Sequence, residues 1–152
     1  MLLILALLIG VIAGLRAMTA PAAVAWAAWL GWFDVSSSSL AFMGYRWTPW
    51  IFTVAAIGEL ISDQLPTTPS RKVPLQFGTR IVVGALTGAT VGASGDALVA
   101  GLIAGVIGSI IGTYGGAAAR GKMAATFGKD MPAAFIEDAV AIIGAILIVG
   151  AV

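Results

Sequence analysis

Glu59 and Asp63 stand four residues apart in IGELISDQLPTTP (57–69), and Glu137 and Asp138 are neighbours in FIEDAV (135–140). Carboxylates at i and i+4 share one face of a helix. Burial and like-charge crowding favour the protonated form of a carboxylate, so acids held in an apolar chain can take up protons. Glu59, Asp63, Glu137 and Asp138 are therefore the candidate proton- or ion-binding residues. Arg16 is the complementary feature. It closes the first apolar run and precedes Thr19-Ala20-Pro21, a helix-start signal. A helix N-terminus beside a guanidinium favours an anion, so Arg16 and Thr19 are the candidate site for an anionic small molecule or a lipid headgroup. Plainer roles compete with both assignments. The acids can anchor helix ends by pairing with Arg71, Lys72 or Arg80, and Arg16 can snorkel to an interface.

Much other chemistry is excluded by composition. There is no His and no Cys, which removes disulfides, thiol nucleophiles and the usual proton shuttle at neutral pH. Carboxylates alone can ligate a hard cation, but their spacing here matches no known cage, so no metal and no cofactor is expected. No phosphate-cradling loop, HExxH or GxSxG occurs. The net charge of +1 is not clustered, which argues against a nucleic-acid partner.

The elements that position these residues are apolar. The 152 residues are 60% hydrophobic and 10% charged, with a mean hydropathy of +1.04, against about 25% charged in an ordinary soluble domain. The lipid bilayer is the expected partner. The expected fold is an all-α membrane protein, a bundle of about five transmembrane helices with one or two half-helices. It forms a single domain over 1–152. Met1 to about Ala17 reads as a first span, retained because no basic residue precedes it. Met18–Phe33 reads as a half-helix, re-entrant or interfacial. Further spans are expected from Thr48 to near Pro66, Leu75 to Ser94, Ala97 to about Gly116 with Asp96 available as a cap, and Pro132 to the end. Basic loops 66–80 and 117–130 fall on one side, cytoplasmic by the positive-inside rule. Arg16 and the five tryptophans are expected on the other side. If Met18–Phe33 crosses the membrane instead, the N-terminus moves outside while the basic loops stay in.

Glycine marks the packing faces: Gly84, Gly88 and Gly92 in one span, Gly101, Gly105, Gly108, Gly112 and Gly115 in the next. Small residues let helix backbones approach closely in lipid. They serve packing within the chain or a homo-oligomer seam, a dimer being expected. GVIAGL (10–15) and GVIGSI (105–110) also suggest an inverted repeat, with halves 1–66 and 96–152 joined by span 75–94.

GLRAMTAPAAVAWAA, GELISDQLPTTPSR, PLQFGTR and FGKDMPAAFIEDAVAI together resemble an uncharacterised bacterial domain-of-unknown-function family of small multi-span membrane proteins. The resemblance covers nearly the whole chain and implies a multi-pass protein of the bacterial inner membrane. It implies no activity or site. The leading functional expectation is a small transporter or channel, proton- or cation-coupled, and not an enzyme. The alternatives are a non-catalytic membrane subunit or assembly scaffold, and an intramembrane enzyme acting on a lipid.

Overall fold

Glycine and alanine build the centre of the molecule, and the large aliphatic side chains face outward. The computed structural model describes residues 1–62 and 73–152. Among these, six α-helices and one 3-10 turn form, with no strand. The helices are α1 (Leu2–Leu15), α2 (Thr19–Trp29), α3 (Thr48–Ser62), α4 (Pro74–Ala93), α5 (Leu98–Phe127) and α6 (Asp130–Gly150), with the 3-10 turn at Ala41–Gly44. Ala6, Ala13, Ala20, Ala25 and Ala141 are fully buried, while Val99, Ile103, Ile107 and Ile111 stand exposed at four-residue spacing along α5. This distribution suits helices packed by small residues with aliphatic groups turned to the surroundings.

Helices α1, α4 and α5 meet at Gly105. A Cβ at Gly10 would come within 2.8 Å of the Gly105 Cα, and one at Gly88 within 2.6 Å of it. A Cβ at Gly105 would in turn strike the Gly84 carbonyl and the Gly88 Cα. Gly92 meets Gly101 in the same way, and Gly108 and Gly112 lie against Leu7 and Val11 of α1. Seven of the eight glycines singled out by spacing are thus spent on contacts within the chain. Gly115, the last of the α5 series, faces open space.

These contacts fix directions. Residue numbers rise together along α1 and α5, so the two run parallel, whereas α4 runs antiparallel to α5. The inverted-repeat expectation is therefore corrected, because inverted equivalents would run in opposite directions. GVIAGL and GVIGSI are alike because they are the two sides of one seam, each supplying glycine where the other's backbone approaches.

Other expectations are also corrected. Residues 98–127 form one helix, joining the fourth expected span to its basic connection. Ala, Gly, Lys and Arg offer no break until Gly128, whose φ of 70° ends the helix. Asp96 does not cap α5. It takes a left-handed turn conformation, φ 60°, and Ala97 precedes the helix. Among the described residues, α5 and α6 are the helices both long and apolar enough to cross a membrane, which leaves the expected five spans unconfirmed. At 14 residues, α1 reaches only about 21 Å, short of a hydrocarbon core of about 30 Å.

Helices α1 and α2 make a hairpin. Leu2 lies against Gly95, at the end of the bundle where α4 hands over to α5, and Trp32 lies against Gly150 at that same end. The chain thus rises through α1, turns at Arg16–Met18 and returns through α2. Four of the five tryptophans gather beside α2 and the start of α3, with Trp26 edge-on to both Trp29 and Trp50, and we term this the tryptophan end. The Trp26 Nε1 donates to Thr53 Oγ1 at 2.8 Å, tying α2 to α3. Trp26→Phe should cost about 1 kcal/mol in detergent unfolding, the worth of one hydrogen bond. In the loop that follows α2, Asp34 accepts from the Ser36 backbone N–H at 2.8 Å, and hydrogen bonding to the Ser36 hydroxyl first, then to that N–H, holds its carboxyl below the usual value.

Candidate functional site

The hairpin tip leaves two helix ends away from the ends of the bundle, and each needs partners for its open backbone groups. Leu15 ends α1, and Arg16 is extended at φ −139° and ψ 107°. Thr19 begins α2 without capping it through its side chain. That role falls to Glu59, which reaches across from α3. Its Oε1 accepts from the Ala17 N–H at 2.9 Å and its Oε2 from the Met18 N–H at 2.7 Å. A carboxylate at a helix N-terminus is favoured by both the open N–H groups and the dipole. The C-terminal end of α1 receives the opposite charge. Arg80 of α4 donates from Nη1 to the Gly14 carbonyl at 2.8 Å, and its Nη2 lies 3.6 Å from Glu59 Oε1.

Arg16 itself turns to α6. Its Nε donates to Asp138 Oδ1 at 2.6 Å, Nη2 pairs with the same oxygen, and Nη2 stands 3.6 Å from Glu137 Oε2. Arg120 of α5 closes the chain of charges, donating from Nη1 to Glu137 Oε2 at 3.2 Å and from Nη2 to Asp130 Oδ2 at 2.7 Å. Arg16 is fully buried, Arg80 is 3% exposed and Glu137 5% exposed. Three guanidiniums thus face three inner carboxylates, with the more exposed Asp130 at the rim. Asp138 lies eight residues into α6, about 12 Å from the end of the bundle where that helix begins.

The two sets of sequence candidates occupy one place. The acids and Arg16, expected on opposite sides, are each other's counter-ions. Hydropathy fixes where a helix is but not whether it crosses, and the return of α2 reverses the sense of everything before it. Glu59, Glu137, Asp138, Arg16 and Thr19 all lie at the hairpin tip; Asp63 lies outside the described residues. The carboxylates converge on guanidiniums rather than on one another. Arg80, named from the sequence as a pairing partner for the acids, does stand beside Glu59, whereas Arg120 falls within the expected basic loop 117–130. The signal for Arg80 was present: six residues past Pro74, it lies about 9 Å inside α4.

Beside this cluster lies a cavity of about 210 Å³ between α2, α3 and α6. Its lining begins where the charges stop. Thr19 follows Met18, Leu60 follows Glu59, and Ile142 is one turn beyond Asp138. No family model, curated protein or solved structure matches the chain.

Proposed function

We propose that the chain is a small multi-pass protein of the bacterial inner membrane that carries an anion together with a proton. In this reading α5 and α6 cross, α4 runs antiparallel beside α5, and α1–α2 is a re-entrant hairpin entering from the outer face. Lys122 and Lys129 mark the cytoplasmic side, and the tryptophan end is outside. The observation that carries this is the seating of Glu59 on the open N–H groups of Ala17 and Met18, beside Arg80. Broken helices whose ends meet charges at depth are a recurring construction of transport sites, and irregular backbone at that depth must be satisfied by protein.

Glu59 serves in this account as a tethered anion. Protonation removes its charge and weakens two charge-assisted hydrogen bonds. A substrate anion then takes its place at the α2 N-terminus, and the cluster stays charge-balanced. Anion and proton move as a neutral pair. The test uses proteoliposomes with an inward proton gradient and four anions: chloride, phosphate, methanesulfonate and octanesulfonate. The wild-type protein is expected to accumulate at least one of them above equilibrium. Glu59→Gln, which cannot release a proton, should fold and equilibrate the anion without accumulating it. Equal accumulation by both proteins, or movement of none of the four, would contradict the proposal.

A second reading has its own support. Each acid in the described cluster has a basic partner or backbone donors, so the network also suits a static lock on the hairpin of a non-catalytic membrane subunit. Under that reading a stoichiometric partner co-purifies and Glu59→Gln changes stability alone.

A further inference from the structure

We infer that the cavity between α2, α3 and α6 binds the hydrocarbon chain of a single-chain amphipathic anion, with the headgroup held at Thr19 beside the ion cluster. The substrate class rests on the transport reading above; the binding site itself does not. Thr19 is 7% exposed and lines the cavity, and its Oγ1 is buried with no hydrogen-bond partner among the described residues. A buried hydroxyl without a partner is costly, and an acceptor oxygen of a headgroup would satisfy it. Thr53, the other hydroxyl on the wall, is engaged by Trp26 and by the Pro49 carbonyl.

The rest of the lining is apolar, with Ala23, Ile57, Leu60, Ile142 and Ile146 prominent. Ile57 and Ile146 are 52% and 54% exposed and flank the open side. A chain can therefore enter laterally from the surface that carries the other outward aliphatics. The volume sets its size. At about 30 Å³ for each water- or methylene-sized group, about 210 Å³ takes about seven. That is one short chain, not the two chains of a phospholipid. The sign of the headgroup follows from its neighbours. Arg16 and the N-terminal end of α2 adjoin Thr19, and a protonated Glu59 leaves them one negative charge short.

The test is photolabelling of the full chain in nanodiscs of zwitterionic lipid, with an octanesulfonate carrying a diazirine on its chain. Label is expected at Ile57, Leu60, Ile142 and Ile146. Excess octanesulfonate should compete it away, whereas octanol and methanesulfonate should not. Thr19→Val, nearly isosteric, should weaken that competition by about fivefold, the loss of one hydrogen bond. Ala23→Leu should remove the label by filling the cavity. Label spread evenly onto the outward face of α5, at Ile103 and Ile107, would overturn the proposal. Equal competition by octanol would overturn the anionic headgroup, and loss of label in anionic-phospholipid nanodiscs would overturn the single-chain occupant. If small anions move with protons while this cavity stays unlabelled, the transport reading survives and this inference falls. Specific label with no movement of any anion would leave the site standing and remove transport.

Discussion

Arg16→Ala is expected to destabilise the protein by about 3–5 kcal/mol, the usual cost of removing one partner from a buried ion pair. The side chain is fully buried and is the link between the hairpin tip and α6. Without it, Asp138 loses the guanidinium at its Oδ1, and Glu137 loses one of the guanidiniums that face it. Arg16→Lys should recover only part of the loss. One ammonium cannot present both Nε and Nη2 from a fixed fork, as the guanidinium does. Arg16→Met combined with Asp138→Leu should recover most of it, because deleting both charges removes the uncompensated one. Unfolding in detergent micelles across this double-mutant cycle gives the coupling directly. A loss below about 1 kcal/mol, the range of surface pairs, would mean that water reaches the cluster.

Gly105→Val should have an effect of similar size by a different cause. The added carbons meet the backbone of α4 at Gly84 and Gly88, and neither can move aside as a side-chain end would. Overpacking costs about 1–3 kcal/mol where neighbours can adjust; here α1, α4 and α5 must separate, so the upper end or more is expected. Gly115→Ala is the matched control. It lies on the same helix with open space around its Cβ position, and alanine should stabilise that turn by about 1 kcal/mol. Opposite shifts in the unfolding midpoint for the two variants would verify the three-helix seam. Equal shifts would contradict it.

The helices themselves were legible in the sequence. Thr19-Pro21 and Thr48-Pro49 announced starts that the structure places at Thr19 and Thr48, and the span expected from Leu75 begins one residue earlier at Pro74, because proline at a first turn gives up only an N–H that has no helical partner. The glycine spacing located the faces that pack, but not which helices share them. That Glu59, Glu137 and Asp138 are acids held in apolar helices was legible. The place of Arg16 was not. A run of about 17 apolar residues fits a span or one arm of a re-entrant hairpin equally well. Its true partner, Asp138, is 122 residues away, a separation that periodicity cannot see. The start of α2 is a related case: Thr19-Ala20-Pro21 marks where the helix begins, but the open N–H groups there are met by a carboxylate from another helix.

The central claim is that Glu59 yields its seat at the hairpin tip to an anion by taking a proton. It is tested most directly by loading proteoliposomes with a pH-sensitive dye and imposing an inward octanesulfonate or methanesulfonate gradient with no initial pH difference. Sulfonates stay ionised and do not carry protons across lipid by themselves. The account predicts that the interior acidifies in step with anion uptake for the wild-type protein, and that Glu59→Gln admits the anion with no acidification. Anion uptake without proton movement in the wild-type protein, or acidification that persists in Glu59→Gln, would contradict it.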